Sequence, residues 1–281
     1  MGLLARILVL AFSLLGITAD AQSQKEARIV YDRMMNAMQS VRAASFTLEL
    51  KERIYGKIDE GVIQVKLETN PLKVYLKSVK PDAGAEVLYV EGSNNNKALI
   101  NPNAFPYFNI SLSPNNPLLR KHHHHTILQM GFAHAYSIMK YYETTEKDRF
   151  YSKLKLSEDK NGTYHILAID NDEFGFINYK VGKGEDLTSI SKKFHVNDQM
   201  VLELNQGITD FDDVTAGQVI TLPNSYAKKI VMYIDKKNML PVRQITYDLK
   251  GLYSDAEFTN LKVNPTFSNT DFSSDNPQYG F

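Results

Sequence analysis

The run Arg120-Lys121-His122-His123-His124-His125-Thr126-Ile127, RKHHHHTI, holds the chain's densest group of chemically versatile side chains. Imidazoles ligate metals, move protons near neutral pH or add positive charge. A metal site needs convergent side chains, and neighbours on a regular backbone point apart, so at most two of the four could meet at one ion. No H-x-x-x-H or H-E-x-x-H spacing supplies partners, and His134 lies too far along to join His123. Neither a metal nor another cofactor is expected. The run follows a Pro/Asn-rich stretch and precedes a helical pattern. Helix N-termini attract anions, and Arg120, Lys121 and His122 to His125 add positive charge, so the run is a candidate for a phosphate or carboxylate such as a lipid headgroup. The plainer alternative is a helix-entry segment with no ligand.

Nucleophiles are scarce. The chain has no cysteine, no zinc-protease spacing and no G-x-S-x-G elbow. Asp170, Asp172 and Glu173 are close in sequence, but they sit in and beside a turn-like NDEFG segment where water would solvate them. A binding protein is expected rather than an enzyme, with a wall-acting hydrolase using a carboxylate pair as the alternative.

Composition narrows the partners. Lys plus Arg and Asp plus Glu number 32 each, so no bulk field favours nucleic acid. The start, MGLLARILVLAFSLLGITADAQSQ, reads as a secretory leader: Arg6, an apolar stretch from Ile7 to Ile17 too short to span a bilayer, and Ala19-Asp20-Ala21 as the cleavage site. Residues 1–21 are therefore expected to be removed, leaving a soluble periplasmic protein without disulfides.

Two textures carry these groups. Residues 24–42 place Ala27, Val30, Tyr31, Met34, Met35, Met38 and Val41 at helical spacing. The runs SFTLELKERIYG, GVIQVKLET, LKVYLKSV, AEVLYVEG and KALINPN alternate as antiparallel strands, broken at Asn70-Pro71 and Asn94-Asn95-Asn96. A second helical pattern starts at Thr126, with Ile127, Met130, Gly131, Ala135, Ile138, Met139 and Tyr142 on one face. Strands are expected again at FYSKLKLSED, GTYHILAID, KKIVMYID, LPVRQITYDL and AEFTNLKVN. The last hairpin needs neighbours for its edges, so residues 22–178 and 224–281 read as one discontinuous α+β domain interrupted by 179–223.

Residues 179–223 spell β-α-α-β. Tyr179-Lys180-Val181 ends in Gly182 and Gly184, and Asp186 caps a helix carrying Leu187, Ile190, Ser191 and Phe194. Met200, Val201 and Leu204 make a second helix ending at Asn205, and Gly217-Gln218 leads to Val219-Ile220-Thr221-Leu222-Pro223. This spacing resembles a LysM module, a family that binds N-acetylglucosamine-containing glycans such as peptidoglycan and chitin. The resemblance implies a groove between Gly184, Glu185, Asp186 and Leu187 on one loop and Asn205, Gly207, Ile208 and Thr209 on another. Glu185-Asp186 departs from the family's usual Asp-Thr and adds a charge there.

The remainder, with Met239-Leu240-Pro241-Val242-Arg243 and Tyr247-Asp248 as its most specific residues, is similar to the LolA/LolB-like superfamily. That resemblance implies a half-open antiparallel β-barrel under covering helices and a lipid or lipoprotein acyl chain as ligand. Met34, Met35, Met38, Met130 and Met139 are the adaptable side chains expected to wall the cavity.

Overall fold

A computed structural model describes residues 3–105 and 107–281, with side chains from Gln22 onward, apart from residue 106. The expected leader and its cleavage site therefore lie outside the described side chains. Among the described residues no helix is long and apolar enough to cross a membrane.

Helix α1 (Leu3–Ser40) buries Ala27, Val30, Tyr31, Met34, Met35 and Met38 along one stripe. The chain then runs through β1 (Ala43–Ile54), β2 (Lys57–Thr69), β3 (Leu72–Lys80), β4 (Glu86–Val90), β5 (Ala98–Asn101) and β6 (Ile110–Leu112). Helices α2 (Phe132–Glu146) and α3 (Asp148–Ser152) lead to β7 (Leu154–Glu158) and β8 (Tyr164–Asp170). After the strand β9 (Phe176–Lys180) come α4 (Leu187–Phe194), α5 (Asp198–Leu204) and β10 (Val219–Pro223). The chain closes with β11 (Lys229–Asp235), β12 (Pro241–Asp248) and β13 (Gly251–Val263).

Eleven of the strands form one antiparallel sheet in the order β6-β5-β4-β3-β2-β1-β13-β12-β11-β8-β7, and its ends β6 and β7 do not pair, so it stays open. The fold is thus α+β with a half-open sheet under helices, as the sequence leads one to expect. Side-chain alternation gives the sheet one buried face. In β1, Ala44, Phe46 and Leu48 are buried inward while Ser45, Thr47 and Glu49 between and beyond them are not, and Ile63, Val65 and Leu67 of β2 continue that face. Lysines and glutamates on the outer face suit water.

Strands β9 and β10 form their own two-stranded sheet. On either side of them, β8 pairs directly with β11, Asp170 opposite Lys229 through Tyr164 opposite Asp235. The chain leaves and rejoins the large sheet at one place: Asn224 N–H donates to Gly175 O at 2.9 Å, and Gly175 N–H donates to Asn224 Oδ1 at 3.0 Å.

Two local expectations change. The helical pattern from Thr126 becomes a short 3-10 turn (Ile127–Gln129), and α2 starts only at Phe132. Gly131 makes the break with φ +82, where a Cβ would collide with Leu67. FYSKLKLSED is strand only from Leu154, because α2 stops at Lys147 (φ 52) and a helical turn brings Phe150 onto Tyr31, ring centroids 5.1 Å apart.

Residues past β13 wrap the outer face. Phe272, Phe267, Tyr279 and Phe281 pack over Tyr75 and Leu88, with Tyr279 stacked on Tyr75 at 3.7 Å. The buried Glu86 carboxylate accepts from Gly280 N–H (2.6 Å) and Tyr75 O–H (3.1 Å) and pairs with Lys77 Nζ (2.9 Å).

Candidate functional site

Between the concave face of the sheet and α2 lies a cavity of about 450 Å³. Its floor is apolar because inward positions of the strands carry Leu48, Ile63, Leu76, Val87, Ile100 and Phe258. Phe132 and Ile138 of α2 face them, with Phe132 stacked on Phe258 at 5.1 Å. The volume is within the ~300–1,000 Å³ of typical small-molecule sites. Phe105, 85% exposed, and Leu118 stand on the loop at its rim.

Of the methionines expected on the wall, Met130 and Met139 line the cavity. Met34, Met35 and Met38 are instead buried in the core with α1. The stripe that places them there belongs to a helix packed against β7, β8 and α2, away from the hollow.

The RKHHHHTI run forms the polar end of the cavity, with Lys121, His122, His123 and His125 on its lining. Arg120 turns the other way, 2% exposed, and its guanidinium clasps Asp198 of α5 with 2.8 and 2.7 Å hydrogen bonds. The positive charge expected to serve an anion is thus neutralised inside the protein. Lys121 pairs with Asp82 at 3.1 Å, and His122 Nδ1 lies 2.9 Å from Asp59.

Two histidines converge on one group, as the adjacency argument allows, but the group is a carboxylate. Glu52 lies between His123 Nδ1 (3.5 Å) and His124 Nδ1 (3.4 Å), and it also accepts from His124 N–H at 3.1 Å. The His124 Nε2 is 3.0 Å from Arg53 O, and its ring stacks on Tyr253 at 4.1 Å. Burial alone would raise the Glu52 carboxyl, but His124 and His123 hold it down to about 2. His125 meets the Tyr226 hydroxyl at 3.3 Å and the edge of His134 at 5.0 Å. Burial lowers His125 to about 4 even though Glu52 acts to raise it; burial and His125 lower His134 to about 3.

The 179–223 unit has its own core of Val181, Leu187, Ile190, Val201, Phe211, Ile220 and Leu222. Asp186 caps α4 by accepting from Ser189 N–H at 2.6 Å. The two expected groove loops are neighbours, since Leu187 N–H donates to Phe211 O at 2.8 Å. Their members divide into two groups. Leu187 is fully buried. The Asn205 amide is committed to Val201 O, Thr221 O and Thr221 N–H. Glu185 accepts from Tyr179 O–H (2.7 Å), Gly182 N–H (2.8 Å) and Lys193 Nζ (3.1 Å), which hold its carboxyl down at about 2. Gly184 and Gly207 are open, with no atom near where a Cβ would stand, and both have positive φ that suits glycine. Ile208 is half-buried and Thr209 is exposed, its hydroxyl donating to Asp213 at 3.1 Å.

Further side-chain contacts join the two units. Arg120 also stacks over Phe211 at 4.2 Å, Tyr253 O–H donates to Asn197 Oδ1 at 2.8 Å, and Tyr142 O–H donates to His195 O at 3.2 Å. Glu52 had a legible signal: Ala44, Phe46, Leu48 and Leu50 make an apolar inward row in β1, and Glu52 continues it with a charge. Asp198 and Phe211 gave none, because their partners are far away in sequence.

Two of the carboxylates weighed for catalysis are held in ion pairs. Asp170 pairs with Lys155 (2.7 Å) and Lys229 (3.2 Å), Glu173 reaches Arg149, and Asp172 is exposed.

Residues 179–223 match the LysM domain family, and residues 41–171 match a family described as "Protein of unknown function (DUF1571)". No curated protein matches the sequence. Among solved structures, the chain is similar to an uncharacterized conserved protein from Thermus thermophilus, at 11% identity over 88% of this chain and 92% of that one, TM-score 0.39. A LolA superfamily protein from Nitrosomonas europaea has 10% identity over 89% and 98%, TM-score 0.34. LprF from Mycobacterium bovis has 13% identity over 87% and 97%, TM-score 0.40.

Proposed function

We propose that this chain is a non-catalytic protein of the cell envelope, acting in the periplasm, with two binding functions. The LysM domain at residues 179–223 holds an N-acetylglucosamine-containing glycan, peptidoglycan first and chitin-type glycan second. The half-open sheet holds an apolar ligand, a lipid or the acyl chain of a lipoprotein. The observation that carries the second part is the cavity of about 450 Å³ floored by Leu48, Ile63, Leu76 and Phe258. A hollow lined with apolar side chains gains from an apolar guest by roughly 25 cal/mol for each Å² it covers.

Glycan binding rests on the loop pair. Gly184 and Gly207 leave backbone accessible to a sugar ring, and the capped, hydrogen-bonded loops keep it in place. Glu185, Asp186, Leu187 and Asn205 then act from beneath as the frame, with Ile208 half-buried and Thr209 exposed beside them.

Two measurements test this. The delipidated protein should take up an apolar fluorescent probe, and protein as first purified should yield lipid to mass spectrometry; failure of both removes the cavity ligand. Sedimentation with purified sacculi tests the glycan half. Release of soluble muropeptides in the same tube would replace binding by hydrolysis.

A further inference from the structure

The polar end of the cavity restricts which lipid the proposed binding could take. The basic side chains of the run are matched by carboxylates of this chain: Lys121 has Asp82 at 3.1 Å and His122 has Asp59 at 2.9 Å on the lining, while Arg120, turned away from the cavity, has Asp198 at 2.7 Å. Glu52 is enclosed by His123 and His124 at 3.5 and 3.4 Å. What remains on the lining, among the described residues, is polar without being ionic: the His125 and His134 rings, the Tyr226 hydroxyl, and Ser78, Gln129, Gln244 and Ser254. Burial holds both of those imidazoles neutral at pH 7.

A charged head brought here would exchange water for a partly dry site with no counter-charge to meet it. An anion would also lie near the ionised Glu52, and a cation would find every lining carboxylate already paired. Hydroxyl and ester oxygens suffer neither difficulty, because imidazole and phenol groups both donate and accept. From this geometry we propose that the cavity selects an uncharged amphiphile, an apolar chain ending in an ester or hydroxyl head, over a fatty acid or another anionic lipid.

The inference rests on the cavity binding proposed above, and one displacement experiment separates the two. The full chain, delipidated and loaded with an apolar fluorescent probe at pH 7.5, is titrated with three competitors of equal chain length: a monoacylglycerol, a fatty acid and an alkyltrimethylammonium. The monoacylglycerol should displace the probe at concentrations at least about tenfold below either charged competitor. Equal or better displacement by the fatty acid or the ammonium overturns the selectivity while leaving the cavity in place. Failure of the probe to bind at all overturns the cavity itself.

Asp82→Asn supplies a gain of function, since Asp82 and Lys121 are both half exposed and the change leaves the fold's core untouched. Lys121 then faces the cavity without its carboxylate. The fatty acid should improve several-fold relative to the monoacylglycerol. A fatty acid that gains nothing from this change overturns the charge argument.

Discussion

The LysM unit and the large sheet domain are joined by a buried ion pair, yet they are built on opposite plans. The small unit is filled: Leu187, Ile190, Val201 and Ile220 are essentially inaccessible, and its polar side chains fasten loops to one another. The large one keeps a hollow, and its polar side chains are gathered at the hollow's end. A filled core lends a binding loop rigidity for a ligand that stays outside. A hollow core stores the capacity to take a ligand in. The contrast fits the two kinds of ligand proposed for the two units.

The sharpest way to break the contrast is at the junction. Asp198→Ala leaves the Arg120 guanidinium buried and unpaired, with side-chain exposure of 2% before the change. A loss of about 3–5 kcal/mol is expected. Calorimetry should show the LysM transition separating from that of the sheet; a single unchanged transition would mean that the units unfold independently of the pair.

Next in size is the filled unit itself. Leu187→Ala removes a fully buried side chain from a core with no slack, for an expected loss of about 3 kcal/mol in denaturant unfolding.

The polar end of the hollow should show itself in pH. In the unfolded chain the rings of His125 and His134 take up protons near pH 6.5, but in the folded protein only near 4 and 3. Their contribution is complete above pH 6.5 and is lost as pH falls toward 4. One such ring is worth about 2 kcal/mol between pH 7 and 5. The facing groups Glu52, Arg120, Asp198, Tyr226 and His195 modulate it. His134→Phe should flatten the slope measured by urea unfolding across that interval. An unchanged slope would place the titration elsewhere.

The smallest effect belongs to the cavity wall. Leu76 borders empty space, so Leu76→Ala enlarges an existing void rather than opening one, and about 1 kcal/mol is expected. A cost equal to that of Leu187→Ala would show that the hollow is as tightly filled as the small core.

Much of this organisation could be read from the residues. Alternation in GVIQVKLET and IVMYID marks strands because a sheet with one buried face demands it, and glycine spacing marks the LysM unit because its loops need positive φ. The methionines were legible as buried, but not as core or cavity. Helical spacing gives a face and says nothing of what that face meets: Met38 found core alone, and Met139 both core and the edge of the hollow. The histidine run was legible as an exceptional segment, while its chemistry was not. Its meaning depends on Glu52, Asp198 and Tyr226, contributed by strands, helices and loops distant in sequence.

The direct pairing of Asp170 with Lys229 makes the LysM unit, in chain terms, an oversized hairpin loop. Splicing it out for a tight turn would leave every rung between β8 and β11 in register and would shorten a loop whose closure entropy changes by only about 0.6 kcal/mol per doubling of length. The graft would heal at the sheet and leave its scar at Arg120, a guanidinium shaped to a carboxylate that had departed with the excised piece.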